Sequence, residues 1–409
     1  MRNISYFCIV KRFERYLIDT ALVVFLLLTN GIAASGQDSS SVKAADSLEV
    51  SLLTCGPRPN VYSLYGHTAI RFRDKAHGTD LAVNYGMFSF DKPFFILRFV
   101  FGLTDYEMGI EYFSDFVSHY SASGCGVRQQ VLNLTGEEKL AIAAAIDENF
   151  RPENRVYRYN YFYDNCTTRA RDILLSHVRG EVKYAGNVDP NESFRQMIHR
   201  YNNTHRWARF GNDLLLGVQA DLPTDRSEHQ FLPDNLANDF AGAVVTSDDG
   251  SSRKLVSEDF WIVPRMGDVG SDSFPLTPME CMCIVAAVVL LATVLEWRRG
   301  ISLWAVDAVM MVVTGLCGVI LLAMVFSQHP TVRLNLQILL LNPLMLVAVV
   351  PVVKRMRAHR PSRWLEFWTA CIILFAVGGI FQTYAEGMYV VALSLLLRNI
   401  YKIYTLRKK

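Results

Sequence analysis

One cysteine and one histidine stand in sequence contexts that suit nucleophilic chemistry. Cys166 follows the aromatic-rich segment 159–163 and lies in Asn165-Cys166-Thr167-Thr168, which predicts the start of a helix. Exposed N–H groups and the dipole at a helix start favour a thiolate. His67, on a predicted strand, can take the thiol proton and return it to a leaving group. The two residues therefore predict acyl chemistry, with N–H groups around Cys166 stabilising the oxyanion.

A third polar group should hold the imidazole ring. Asn84, on the next predicted strand, is the first candidate, and Asp164, beside the cysteine, is the alternative. Either side chain can equally serve a local turn or a backbone hydrogen bond. A single cysteine beside aromatic residues is more often a small buried side chain, and a strand histidine is more often an ordinary core or surface group. It is the combination of the two motifs that favours the catalytic interpretation.

The other cysteines and histidines give weaker signals. Of the eight cysteines, Cys55, Cys125 and Cys166 fall in the polar middle of the chain, which allows one Cys55–Cys125 disulfide and one free thiol if this region is exported. The remaining histidines lack metal-ligand spacing, and no phosphate loop or dinucleotide motif occurs, so we expect no metal and no cofactor. A formal net charge of +2 gives no reason to expect a nucleic-acid partner.

The elements that must position these residues indicate an α+β domain. Segments 68–72 and 81–85 alternate apolar and polar residues as strands do. Apolar residues at helical spacing within 136–146 predict an amphipathic helix, and 165–178 predicts a second. We expect this catalytic domain to span residues 51–245.

Flanking segments suggest export and tethering. Residues 1–36 carry basic residues, then an apolar stretch, then Ala33-Ala34-Ser35-Gly36, a pattern typical of a signal peptide, with an uncleaved N-terminal anchor as the alternative. Residues 37–50 are polar and small and predict a tether. Residues 246–278, rich in Ser, Asp, Gly and Pro, predict a linker.

The last third of the chain predicts an all-α membrane domain, residues 279–403, and a basic tail, 404–409. Its five apolar stretches are 279–296, 303–326, 332–353, 365–382 and 386–401. Lys and Arg cluster at every second boundary, which predicts a cytoplasmic C-terminus and places residue 278 outside, in agreement with the export signal. The last stretch is the weakest because Glu386 and Arg398 bracket it closely, and a short or interfacial helix is the alternative.

The order of histidine before cysteine resembles the circularly permuted papain-like enzymes of the NlpC/P60 superfamily, which includes the lecithin:retinol acyltransferase-like enzymes. More closely, Tyr65-Gly66-His67-Thr68-Ala69-Ile70-Arg71, Val83-Asn84-Tyr85-Gly86 and Asp164-Asn165-Cys166-Thr167-Thr168 are similar to motifs of the Lnb family, named for the lipoprotein N-acyltransferase of Bacteroidota. That family's architecture, an exported domain followed by five membrane helices, is similar to this chain from residue 50 onward.

The resemblance implies transfer of a fatty acyl chain from a phospholipid, through a thioester on Cys166, to the free α-amino group of the lipidated N-terminal cysteine of a diacylated lipoprotein. It implies a multi-pass protein of the inner membrane with its catalytic domain in the periplasm. The aromatic stretch 94–101 is then either a second lipid contact or a buried element.

Two other functions use the same residues differently. The first is an envelope cysteine peptidase or amidase that acts on cell-wall peptides with water as the acceptor. The second is a non-catalytic envelope scaffold. Five membrane helices argue against a soluble substrate, because a simple anchor needs only one.

Overall fold

The structure is a computed structural model that describes residues 45–58, 60–88, 93–265 and 270–408. Within these residues a sheet-rich N-terminal part is followed by a helical C-terminal part, which confirms the predicted α+β class. The predicted signal segment, residues 1–36, and most of the predicted tether lie outside the described residues.

The N-terminal part contains two antiparallel sheets. Their strands are β1 (Leu48–Cys55), β2 (His67–Asp74), β3 (Thr79–Met87), β4 (Asp105–Tyr112), β5 (Val127–Leu132), β6 (Val156–Arg158), β7 (Glu181–Lys183), β8 (Val244–Thr246), β9 (Ser252–Lys254) and β10 (Val256–Val263). The large sheet has the order β10-β5-β1-β2-β3-β4-β6, and β7, β8 and β9 form the small one. The strands nearest the predicted site, β2 and β3, are therefore in the middle of the large sheet.

Helices connect and cover these strands. Those of the N-terminal part are α1 (Phe95–Val100), α2 (Phe113–Ala122), α3 (Gly136–Phe150), α4 (Cys166–Leu175), α5 (Phe194–His199), α6 (Arg206–Leu215), α7 (Arg226–His229) and α8 (Pro233–Ala241). Helices α3, α4 and α8 share a buried apolar cluster with one face of the large sheet, and α2 packs on the opposite face. Short 3-10 turns lie at Val61–Ser63 and Val218–Asp221.

The predicted linker is wrong in its first half. Residues 256–263 form β10, which pairs with β5 at the edge of the large sheet, and the Arg128 guanidinium binds both carboxylate oxygens of Asp259 at 2.8 and 2.6 Å. An edge strand exposes most of its side chains to water, which explains why this segment had the composition of a loop. The sheet also begins earlier than predicted, because β1 starts at Leu48, inside the predicted tether.

The C-terminal part is built on five long helices. They are α9 (Pro278–Arg299), α10 (Trp304–Val325), α12 (Leu344–Arg357), α13 (Arg363–Gly378) and α14 (Met388–Lys408). Large apolar side chains point outward on each of them, among them Leu291, Leu316, Val347, Leu374 and Leu393, each more than half exposed. Such surfaces suit contact with lipid. Among the described residues, the segments 278–299, 304–325 and 330–357 are long and apolar enough to cross a membrane.

The third apolar stretch is not the continuous helix that we expected over 332–353. It contains the single turn α11 (Pro330–Arg333) and a 3-10 turn, Leu336–Leu339, before α12 begins. Backbone that leaves a helix at membrane depth needs other hydrogen-bond partners. Here the carbonyls of Thr331 and Leu334 accept the N–H groups of Gly217 and Val218, at 2.8 Å each, so the broken segment is also bonded to the N-terminal part.

The last helix is longer than expected because its charged residues face inward. Arg398 donates to both carboxylate oxygens of Asp307 at 2.7 Å and to Glu296 at 3.1 Å, and Lys402 binds Glu296 at 2.7 Å. All four side chains are buried. Arg398 and Lys402 are therefore members of a buried ion-pair cluster between α9, α10 and α14 and do not belong to the exposed Lys and Arg clusters on which the topology prediction depends.

Candidate active site

Helix α4 begins at Cys166 because Asn165 caps it. The Asn165 side-chain oxygen accepts the N–H of Thr167 at 2.8 Å and of Thr168 at 2.9 Å, and the Thr168 hydroxyl accepts the N–H of Asn165 at 2.9 Å. The Asn165 amide group also donates to the carbonyls of Tyr161 and Phe231. This buried, fully bonded cap fixes the cysteine at the first position of the helix.

A buried pair of hydroxyls attaches this helix to the central sheet. The Thr68 and Thr167 side-chain oxygens are 3.0 Å apart, and both side chains are almost fully buried. Thr68 follows His67 and Thr167 follows Cys166, so the contact aligns the first residues of β2 and α4. The structure therefore brings the two predicted residues together at one end of the sheet.

The Cys166 thiol and the His67 imidazole shift each other's pKa in opposite directions. Burial alone would raise the pKa of the Cys166 thiol, but the His67 charge, the hydrogen bond with the His67 ring, and bonds with the Thr68 backbone and the Thr167 hydroxyl lower it overall. Burial alone would lower the pKa of His67, but the Cys166 charge and hydrogen bonds with Cys166 and Asn84 raise it overall. The two opposite shifts favour a thiolate beside an imidazolium.

Asn84 holds the far nitrogen of the imidazole. Its side-chain oxygen lies 3.0 Å from His67 Nε2, which leaves Nδ1 to face the thiol. Asn84 is opposite Ala69 in the pairing of β2 with β3, so it is a diagonal neighbour of His67 on the same face. The first candidate for the orienting group is therefore in contact with the histidine.

Glu111 extends this row to a third strand and was missed from the sequence. The Asn84 amide group donates to Glu111 Oε1 at 2.8 Å, which orients the Asn84 oxygen toward His67. Burial raises the pKa of Glu111, although the hydrogen bond from Asn84 and the nearby histidines oppose that rise. Glu111 is opposite Ala82, again one diagonal step along the sheet. The alternating pattern of residues along β4 was the one sequence signal for Glu111. That signal can place Glu111 near Asn84 only when it is known that β4 pairs with β3.

The alternative orienting residue, Asp164, has another partner. Both of its carboxylate oxygens accept from the Arg169 guanidinium, at 2.6 and 2.8 Å. Arg169 also lies over the Tyr157 ring, with its Cζ 3.5 Å from the ring centre. Asp164 therefore stabilises the aromatic loop before the cysteine, and the structure does not bring it to the imidazole.

A break in the pairing of β3 with β4 lies next to Cys166. The register of β3 with β4 is interrupted between Asn84 and Met87, and Gly86 within this bulge has a φ of +84°. That conformation favours glycine. A Cβ on Gly86 would lie 3.6 Å from the Cβ of Cys166, so the bulge forms the wall next to the thiol.

Cys55 and Cys125 are free thiols, so the disulfide that we considered is absent from the described structure. Both are buried; Cys125 donates to the carbonyl of Pro57 at 3.2 Å, and burial raises the pKa of Cys55 far above its usual range. A buried thiol with a raised pKa is a poor nucleophile. Cys166 is thus the cysteine of this domain with a lowered pKa and an imidazole partner.

A second residue missed from the sequence is Arg58. Its guanidinium lies over the Tyr120 ring at 4.0 Å, and its positive charge opposes protonation of His67. Within the described residues its Nε has no hydrogen-bond partner and no carboxylate is within ion-pair distance. No sequence signal marks Arg58, because it lies in the irregular segment after β1 and meets the site only through tertiary structure.

Comparison with known proteins assigns both parts of the chain. Residues 40–200 match the model of the Lnb N-terminal periplasmic domain, and residues 270–409 match that of the Lnb transmembrane domain. No curated protein and no solved structure matches the chain. The two matches follow each other in the order in which the structure has its sheet-rich and helical parts. The chain belongs to the Lnb family, as a membrane protein with a periplasmic N-terminal domain.

Proposed function

We propose that this protein is a lipoprotein N-acyltransferase in which Cys166 is the nucleophile and His67 the acid and base. The acyl donor is a phospholipid, and the acceptor is the α-amino group of the lipidated N-terminal cysteine of a diacylated lipoprotein. The observation that carries the proposal is the thiol–imidazole pair at the start of α4, aligned by the Thr68–Thr167 contact, in a chain whose C-terminal part has lipid-facing helices.

The first half-reaction forms a thioester. The Cys166 thiolate attacks the ester carbonyl of the phospholipid, and the resulting tetrahedral oxyanion collapses with loss of the lysophospholipid alkoxide. The His67 imidazolium gives its proton to that alkoxide. Asn84, bound to the far ring nitrogen and itself held by Glu111, keeps the ring in position during the transfer.

Only part of the helix start is free to stabilise the oxyanion. The N–H groups of Thr167 and Thr168 are already bonded to the Asn165 cap, whereas the described residues provide no acceptor for the N–H of Cys166. We therefore assign the backbone N–H of Cys166 to the oxyanion, a narrower role than the sequence suggested for the N–H groups around it.

The second half-reaction forms an amide. The lipoprotein amine attacks the thioester carbonyl, neutral His67 takes the proton of the amine, and the Cys166 thiolate leaves. Splitting the transfer in this way replaces one difficult step by two easier ones. Both substrates are anchored in the same leaflet, so attachment of the site to that membrane raises their effective concentration.

Two further features support a phospholipid donor and the proposed topology. Arg58, a cation near the imidazole without a carboxylate partner among the described residues, suits the phosphate of a phospholipid. Arg407 and Lys408 at the end of α14 support a cytoplasmic C-terminus after five crossings. Residues 1–36 then act as the export signal or anchor.

Mass spectrometry of lipoprotein N-termini tests the proposal. Cells lacking the gene should accumulate lipoproteins with a free α-amino group, and the wild-type gene should restore the amide-linked acyl chain. Cys166→Ser and His67→Ala should fail to restore it at normal protein levels.

The same cells separate the alternatives. Unchanged lipoproteins together with altered cell-wall peptides would indicate a peptidase or amidase. Full restoration by Cys166→Ser would indicate a scaffold without catalysis.

A further inference from the structure

An exposed apolar surface of the periplasmic part lies beside the membrane domain. It consists of Phe94, Leu97, Phe99 and Leu103, on and next to α1, which we call the α1 patch. Phe94 is 77% exposed and Leu97 is 56% exposed. Large apolar side chains at this exposure are costly in water when they are grouped.

The α1 patch is continuous with the lipid-facing surface. The Phe101 carbonyl after α1 accepts the N–H of Gln328 at 2.9 Å, and the Phe99 ring lies 6.1 Å from that of His329. Gln328 and His329 come directly after the end of α10, whose last turn is followed by Phe326, itself 73% exposed. The patch is therefore at the outer end of a membrane-spanning helix.

The backbone of Phe94 gives an independent indication. Its φ of +57° and ψ of +31° are left-handed, a conformation that is unfavourable for a residue with a Cβ. A strained phenylalanine that is also exposed gains little in water. Contact of its ring with lipid would supply the missing compensation.

A row of aromatic rings leads from α1 toward the thiol. Phe95 stacks on Phe88 at 5.7 Å between ring centres, Phe88 contacts Tyr106 at 4.8 Å, and Tyr106 stacks on Tyr159 at 4.0 Å. A Cβ on Gly86 would be 3.9 Å from the Tyr159 ring and 3.6 Å from the Cβ of Cys166. The row thus ends beside the nucleophile.

We propose that the α1 patch inserts into the outer leaflet of the membrane and that the aromatic row guides an acyl chain from that leaflet to Cys166. The insertion stands on the exposure, the backbone of Phe94 and the contact with the end of α10. The guidance of an acyl chain rests on the proposed function.

Photolabelling of the full-length protein tests the insertion. The protein is reconstituted in phosphatidylethanolamine vesicles that contain a small fraction of phosphatidylethanolamine with a diazirine near the end of one acyl chain, and labelled residues are mapped by mass spectrometry after irradiation. We expect adducts on the α1 patch and on the outward faces of α9 and α10. Phe260 and Trp261, which are 43% and 48% exposed on β10 at the opposite edge of the sheet, should stay unlabelled.

A double variant tests the consequence for transfer. Asn accepts the left-handed conformation more readily than Phe does, so Phe94→Asn with Leu97→Gln should fold normally while it removes the apolar surface. We expect a several-fold loss of lipid adducts on the segment and of the lipoprotein acylation rate, with unchanged alkylation of Cys166. The matched control, Trp261→Gln, should change none of these.

The outcomes separate the two proposals. Absence of adducts on the α1 patch while α9 is labelled, or labelling of Phe260 and Trp261 to the same extent, would overturn the insertion and leave the proposed function untouched. Labelling of the patch in a protein that does not acylate lipoproteins would retain the insertion and overturn the function. Normal acylation by the double variant would overturn the guidance of the acyl chain.

Discussion

The Cys166 thiol is a group whose charge at neutral pH can be measured directly. Because its pKa is lowered, chiefly by the charge of His67 against the effect of burial, the thiolate should form with its midpoint at a lower pH than in a free cysteine. Iodoacetamide alkylation, followed on the peptide that contains Cys166, should rise with pH through this lowered midpoint. His67→Ala removes the charge and the bond that lower the pKa, so the midpoint should move to higher pH.

Cys55 is an internal control for this titration. It is buried and its pKa is raised, so it should remain unmodified over the same pH range in the folded protein. Identical midpoints for the wild type and His67→Ala would contradict the thiol–imidazole pair.

Asn84 and Glu111 act on the reaction through the imidazole. Asn84→Ala removes a bond that raises the pKa of His67, so the thiolate–imidazolium pair is weakened and the Cys166 midpoint should rise. We expect acylation to fall by roughly tenfold to a hundredfold, part of the roughly 10²–10⁴-fold that positioned acid–base catalysis contributes. The measurement is the pH profile of acylation in membranes.

Glu111 distinguishes positioning from packing. Glu111→Leu should lower acylation in the same direction, because the Asn84 amide group loses its acceptor. Glu111→Gln retains an acceptor oxygen and should restore most of the activity. If Leu and Gln at this position were equivalent, Glu111 would have no role in orienting Asn84.

At the scale of the element, the Asn165 cap links helix stability to thiol position. Asn165→Ala leaves the N–H groups of Thr167 and Thr168 without their acceptor and should destabilise the protein by about 1–3 kcal/mol. Thermal unfolding of the purified protein measures this loss. Alkylation of Cys166 should slow in the same variant, because the cysteine is no longer fixed beside His67.

A second capping box provides the matched control. Thr135 caps α3 with the same pattern, accepting the N–H of Glu138, at a distance from the site. Thr135→Ala should lower stability by a comparable amount while alkylation of Cys166 stays normal. Slower alkylation in both variants would show that the alkylation rate of Cys166 depends on the overall stability of the protein and not on the position of α4.

Local signals explain which elements could be predicted. The predicted strands 68–72 and 81–85 lie within β2 and β3, because alternation along a half-buried strand is visible in the sequence itself. Likewise, the Asn-Cys-Thr-Thr run contains its own cap, and α4 begins there. These segments carry the thiol, the imidazole and Asn84, so the main groups of the candidate site could be predicted.

The remaining features depend on partners that are distant in sequence. Strand β10 is an exposed edge strand whose partner, β5, is more than a hundred residues earlier. The break before α12 is compensated by the N–H groups of Gly217 and Val218, more than a hundred residues earlier. Glu111 and Arg58 meet the site only through strand order and a folded turn. Composition and periodicity hold no information on such contacts.

At the scale of the whole molecule, Gly217 controls how the two parts fit together. Its N–H donates to the Thr331 carbonyl at 2.8 Å, and a Cβ at this position would lie 2.1 Å from the Leu334 oxygen. Gly217→Ala should therefore force the parts away from each other and cost about 1–3 kcal/mol, as overpacking does. We expect lower thermal stability and slower acylation in vesicles.

Gly211 is the matched control, because it lies in α6 and a Cβ there meets nothing within 4 Å. Gly211→Ala should be neutral or stabilise the protein by about 0.5–1 kcal/mol, since alanine favours a helix interior. Equal behaviour of the two variants would argue against tight docking of the periplasmic part on the membrane domain.

The buried ion pairs of α14 have a consequence for the order of assembly. Glu296 and Asp307 belong to helices that are synthesised first, and their positive partners, Arg398 and Lys402, come 91 to 106 residues later. Glu296 lies in the last turn of α9 and Asp307 in the first turn of α10, so both carboxylates are at the same end of this helix pair. The carboxylates of α9 and α10 therefore have no positive partners until α14 has been synthesised. A nascent chain that stops before Met388 lacks both cationic partners and therefore keeps two buried carboxylates unneutralised where α9 meets α10.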